Sequence, residues 1–153
     1  MLLSCVPQGT SDEIPADKVT MDFLKGDWVT TQADVLPDLF TSRIDILKSQ
    51  FALYSIKGGT DEATIIMPYR DKDSIYYAKL RLDIHDDTIG TQINVENWGW
   101  VTARAWKILK AEQDKIDLLN LKWGYILTLE RLLPGDLEAA FPDSVVTLYH
   151  TLN

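Results

Sequence analysis

The chain has 153 residues, 46% of them hydrophobic and 25% charged, which fits one globular domain with a core of its own and argues against overall disorder. Its net charge of −8 argues against a nucleic-acid or anionic-membrane surface, since both need clustered Lys and Arg. A single cysteine permits no disulfide within the chain, and no apolar run reaches the roughly 18 residues of a membrane-spanning helix.

In chain order, the first stretch is "MLLSC". Leu2 to Cys5 is similar to a bacterial lipobox, with leucine three before the cysteine and a small residue just before it. The following "VPQGTSDEIPADK" has prolines, a glycine and acids without apolar periodicity, and so reads as a flexible tether over residues 1–22. An export signal needs an apolar stretch of about 7–15 residues, longer than the four residues ahead of Cys5. The expectation is therefore a lipid-anchored protein of the bacterial envelope if a signal has been removed, and a cytoplasmic protein otherwise.

From Phe23 to the C-terminus the chain reads as one domain dominated by alternation and turn punctuation, the pattern of β-structure. "GDWVTTQ" is a strand, and "ADVLPDLF" with Pro37 a loop. "SRIDIL" and "QFALYSI" are the next strands, followed by a glycine-rich hairpin turn in "KGGTDE". "ATIIMPY" is a strand with Pro68 near its end, tolerable at an edge or bulge. "SIYYAKLRLDIH" alternates most cleanly: Ala78, Leu80, Leu82 and Ile84 face one way, and Lys79, Arg81, Asp83 and His85 the other. "IGTQINVEN", "WGWVTARAWKILK", "KIDLLNLK" and "GYILTLERL" complete about nine strands at roughly 10-residue spacing, the signature of a barrel or sandwich. "GDLEAAF" suits a turn of helix. "DSVVTLYHTL" suits a helix capped by Asp143 or Ser144.

The opening strand carries Gly26-Asp27-Trp28, and the last carries Arg131 in "YILTLERL". With this strand count, the chain resembles the calycin group, and more closely the lipocalin-like domains of bacterial lipoproteins. The resemblance spans roughly residues 24–133; a second lipocalin signature, Thr-Asp-Tyr, is absent. It implies an all-β fold: an antiparallel up-and-down barrel of about 8–9 strands with a short C-terminal helical segment. It also implies that Trp28 plugs one end with Arg131 across its ring. The chemistry of the residues agrees. Glycine permits a tight bend where a Cβ would obstruct a crossing backbone, and a guanidinium stacks well on an indole face.

Catalytic signatures are absent from the sequence. There is no Gly-x-Ser-x-Gly elbow, "KGGT" lacks the rest of a phosphate loop, and only two histidines exist. "DIHDD" at 83–87 gathers acids around a turn without the loop pattern that calcium requires, and reads as a solvated hairpin end. Neither a metal nor a cofactor is expected.

"NWGWVTARAWK" is the other informative stretch. Simple alternation puts Trp98, Trp100, Thr102, Arg104 and Trp106 on one face, and Gly99, Val101, Ala103 and Ala105 on the other. With that face inward, Trp100, Arg104 and Trp106 would line a cavity for an apolar ligand bearing an anion. With it outward, the tryptophans would need a cover or a partner. Alternation leaves both open. The expected function is non-enzymatic binding of a small hydrophobic or amphipathic molecule by an envelope lipoprotein. The alternative is an accessory or inhibitory module engaging another envelope protein. Interior space favours the first, and a barrel filled by side chains favours the second.

Overall fold

The computed structural model describes residues 13–33, 52–68 and 75–153. Nine strands run among them: β1 (Glu13–Ile14), β2 (Gly26–Ala33), β3 (Leu53–Ile56), β4 (Glu62–Pro68), β5 (Ile75–His85), β6 (Thr88–Val95), β7 (Gly99–Glu112), β8 (Lys115–Asn120) and β9 (Ile126–Arg131). Helix α1 (Met21–Leu24) lies between β1 and β2, and α2 (Asp136–Ala140) and α3 (Asp143–Leu152) follow the last strand. The lipobox-like Leu2 to Cys5, the loop "ADVLPDLF" and the strand expected in "SRIDIL" lie outside the described residues.

Each strand from β2 to β9 pairs antiparallel with the next, and β9 returns to pair with β2. The result is a closed eight-stranded up-and-down barrel. Closure leaves no long sheet edge exposed, which is how a small all-β chain protects its backbone groups. Followed once around, the pairings slip by roughly a dozen residues, so the strands are steeply tilted. Eight strands at such a stagger enclose room for side chains and one small molecule.

Residues 13–22, read from sequence as part of a tether, are built into the structure from Glu13 onward. Glu13 and Ile14 pair with Glu112 and Ala111 of β7, beyond the point where β6 begins. Thr20 caps α1, its Oγ1 accepting from Phe23 N at 3.2 Å, and Val19 and Leu24 are buried. The four apolar residues Ile14, Val19, Met21 and Leu24 have irregular spacing, so no periodicity announced them; tertiary contact orders the segment.

The barrel is apolar on its outer side too where the C-terminal helices lie. Leu53 and Ile66, cross-strand partners, point away from the interior and pack with Leu137 and Val145 in a second cluster. Burial on both faces explains the unbroken apolar run "IIM" in β4. Both helices form where the sequence placed them. For α3, however, Pro142 rather than Asp143 or Ser144 occupies the N-cap, without a side-chain cap. Asp143 instead lies in the first turn, where its charge suits the helix dipole.

Polar contacts fasten α3 as well. The Tyr149 hydroxyl donates to Asp27 Oδ2 at 2.7 Å, and Ser55 Oγ donates to Asn153 Oδ1 at 3.2 Å. Burial, and then the bond to Asp27, push the Tyr149 hydroxyl up to about 12. A folded-state pKa above the unfolded value of about 10 means that this contribution is whole below pH 10 and disappears as pH climbs towards 12. Tyr149→Phe is therefore expected to cost about 1–3 kcal/mol in denaturant unfolding at pH 7. It should also flatten the loss of stability above pH ~10. An alkaline limb identical to the parent's would refute this role for Tyr149.

Candidate functional site

The two ends of the barrel differ in construction. At the end where β2 begins, Trp28 is wholly buried and its Nε1 donates to Leu24 O at 2.8 Å. Trp28 and Arg131 are register partners across the β2–β9 seam, and the guanidinium lies 4.1 Å from the indole centroid. The same guanidinium donates from Nη1 to Lys25 O at 2.6 Å, from Nη2 to Phe23 O at 2.7 Å and from Nε to Gln113 O at 3.1 Å. Asp114 supplies the counter-charge at 3.5 Å. Burial lowers the pKa of Arg131, with Asp114 opposing that shift. Gly26 has φ of +127°, and a Cβ there would stand 2.9 Å from Arg131 Nη1. Gly26, Trp28 and Arg131 thus meet at one closed end, sealed with α1 and the β7–β8 turn. Inward side chains around them, such as Ile56, Ile116 and Leu129, fill the space.

The opposite end receives the finish of β2, β4, β6 and β8 and the start of their partners. Here β7 decides the geometry. Thr102 pairs with Gln92 but Arg104 pairs with Thr91, so Ala103 is an extra residue in a bulge. Thr91 Oγ1 fixes the bulge, donating to Arg104 O and accepting from Arg104 N, each at 3.0 Å. The bulge reverses which side chains point inward. Trp106 pairs with Ile89 in the core and is 7% exposed. Trp100 lies on the outer surface, where the guanidinium of Arg81 stacks 4.0 Å from its centroid. Trp98 is 79% exposed in the β6–β7 turn.

The single face expected for these tryptophans therefore does not exist. The structure separates Trp100 from Trp106, and leaves Arg104 on Trp106's side, opposite Thr91 and Leu82. Trp100 has no place on the inner wall. A strand carrying an extra residue changes face at that residue, and uniform alternation cannot show where.

Three further inward or buried residues went unrecognised in the sequence. Tyr54 shares the inner face with its register partners Trp28 and Ile65. Tyr125 packs edge-on against Trp106, the centroids 5.6 Å apart. Buried Asn120 organises the β8–β9 turn: its Oδ1 accepts from Lys122 N at 3.0 Å and Trp123 N at 2.7 Å, and its Nδ2 donates to the Tyr125 hydroxyl at 3.3 Å. For Tyr54 the sequence signal was alternation within "LYSI"; for Asn120 and Tyr125 there was none, because the turn that joins them is built by side-chain bonds.

Tyr54, Leu82, Ile93 and Tyr125 pack against the core and are half-buried, and Arg104 is exposed. A depression of about 40 Å³ on the outer face of β7–β8, bounded by Lys110, Glu112, Lys115 and Asp117, is far smaller than a ligand site needs. Among the described residues no three His, Cys, Asp or Glu side chains converge as a metal site.

The fold is a closed eight-stranded antiparallel meander, sealed at one end by Trp28 and Arg131. No family model and no curated protein matches the chain. Among solved structures it is similar to a lipocalin-like protein from Bacteroides uniformis ATCC 8492, at 13% identity over 72% of this chain and 99% of that one, with a TM-score of 0.47.

The closed end yields a direct test. Arg131→Ala strips partners from three carbonyls and uncovers the Trp28 ring, and is expected to cost about 2–4 kcal/mol. The melting temperature should fall while the far-ultraviolet β signature survives. An unchanged melting temperature would mean that the stacked pair contributes nothing.

Proposed function

We propose that the protein is a non-enzymatic carrier or receptor that holds one small hydrophobic or amphipathic molecule in the mouth of its barrel. The supporting observation is the inner wall itself: Tyr54, Leu82, Ile93 and Tyr125 are apolar or aromatic, inward-facing and only half covered, above the buried Trp106. Exposing such a wall to water costs free energy, and an apolar guest would recover about 25 cal/mol for each Å² it covers. Arg104 gives the guest a charged contact at the rim. The lipobox-like Leu2 to Cys5 supports a lipid-anchored location in the bacterial envelope.

A second reading has its own support. Trp98 and Trp123, in the β6–β7 and β8–β9 turns of the same end, are 79% and 64% exposed. Aromatic side chains held out on turns are favoured contacts for another envelope protein.

Tryptophan fluorescence separates the two. Titration with medium-chain fatty acids should shift or quench emission to saturation at one site, and Trp106→Phe should remove most of the change. No change for any lipid tried, together with capture of a folded envelope protein abolished by Trp98→Ser and Trp123→Ser, would replace the first reading by the second. Location is checked separately: in a bacterial host the full-length protein should partition with membranes, and Cys5→Ser should release it.

A further inference from the structure

We propose that two copies of the chain associate edge to edge, each covering the open first half of the other's β7 about a twofold axis near Val101. This goes beyond the reading of the mouth as a ligand site and does not depend on it.

The open edge comes from unequal strand lengths. β7 has 14 residues and β8 only 6, and their pairing begins at Trp106 opposite Asn120. Residues 99–104 therefore have a strand partner on the β6 side and, among the described residues, none on the β8 side. Along these six residues, about 20 Å of chain, backbone groups that point away from β6 can receive another extended strand. A fixed turn flanks each end of the notch. In the β6–β7 turn Trp98 N donates to Val95 O at 3.0 Å. In the β8–β9 turn Leu121 N donates to Ala105 O at 3.0 Å, and Asn120 Oδ1 holds the amides of Lys122 and Trp123. The apolar side chains of Val95, Trp98, Leu121 and Trp123 stand exposed on these two turns.

What fits this notch is a second notch. With two β7 edges antiparallel about the twofold, the β6–β7 turn of each copy stops against the β8–β9 turn of the other, because the two turns lie at opposite ends of one edge. Such self-complementarity is what a twofold contact requires. Charge agrees with it. Residues 97–105 contain no acid and one cation, Arg104, which falls opposite Gly99 of the other copy, so no like charges meet across the ladder. Glu96 of one turn comes to Lys122 of the other, twice in each dimer, and both are exposed in the single chain. Trp98 meets Leu121 and Trp123. An unrelated strand would have to bring a base for Glu96 and an acid for Lys122 at matching ends; the chain's own edge brings both. The tryptophans are held on fixed turns, so little freedom is lost on contact. Together with Leu121 and the ladder they bury on the order of 1,000 Å² in total, the lower end for a specific interface.

The test is sedimentation equilibrium of the full chain, with amide hydrogen exchange at low and high protein concentration. A monomer–dimer equilibrium with Kd on the order of 10–100 μM is expected, and amides within residues 99–105 should gain protection as the dimer forms. Lys122→Glu sets like charges against Glu96 and should weaken association about 5- to 20-fold; Glu96→Lys added to it should restore most of that loss. Trp98→Ser with Trp123→Ser should leave a monomer whose far-ultraviolet β signature matches the parent's. A monomeric parent at every concentration up to about 500 μM would overturn the inference. So would a dimer that ignores the charge reversal and leaves residues 99–105 unprotected, since its contact would lie elsewhere.

Discussion

The structure depends on the way in which its last strand meets its first. A meander of eight strands is only a curled sheet until β9 pairs with β2, and at that seam Trp28 and Arg131 are direct partners. A fully buried indole removes on the order of 150–250 Å² from water, worth about 5 kcal/mol, and does so where barrel, helix α1 and the β7–β8 turn converge. The guanidinium ties these parts together by bonding carbonyls of Phe23, Lys25 and Gln113, three backbone groups with no strand partner there. A buried cation is costly, and the lowered pKa of Arg131 reflects it. The carbonyls, Asp114 and the indole face together offset that cost. Gly26 is required for the same reason, since its missing Cβ is the space that the guanidinium occupies.

At the other end the Ala103 bulge turns β7 so that Arg104 and Trp106 look inward while Trp100 looks out beneath Arg81. One inserted residue thus divides the tryptophans of β7 between the two faces of the sheet. On the outside, α2 and α3 complete a second apolar layer over β3 and β4, and Tyr149 bonds the acid that lies between Gly26 and Trp28. The motif strand is therefore held from within by its indole and from outside by its carboxylate.

Much of this was legible in the residues. Alternation in "IYYAKLRLDIH" and the punctuation by "KGGTDE" and "DD" placed β4, β5 and β6, because period-2 burial and left-handed turn positions such as Gly59 and Asp86 are local properties. Gly26, Trp28 and Arg131 were legible for a different reason: a motif preserves a geometry that local pattern alone does not encode. Three features escaped. Ile14, Val19, Met21 and Leu24 looked like a tether because their spacing belongs to no regular element, and only the closed end gives them a place. The face of Trp100 was unreadable because a bulge depends on cross-strand pairing. Asn120 and Tyr125 form a turn through side-chain bonds that share no spacing rule.

These escapes have a common origin. Features that a barrel needs in order to close are repeated along the chain and so leave a periodic record. Features peculiar to the other end occur once, at points where periodicity is broken: an extra residue in β7, a polar turn after β8, a tyrosine between Leu53 and Ser55 in a short strand. Thr91 illustrates the difference, since its hydroxyl serves no core and no surface function but holds both backbone groups of Arg104 in the one place where alternation fails.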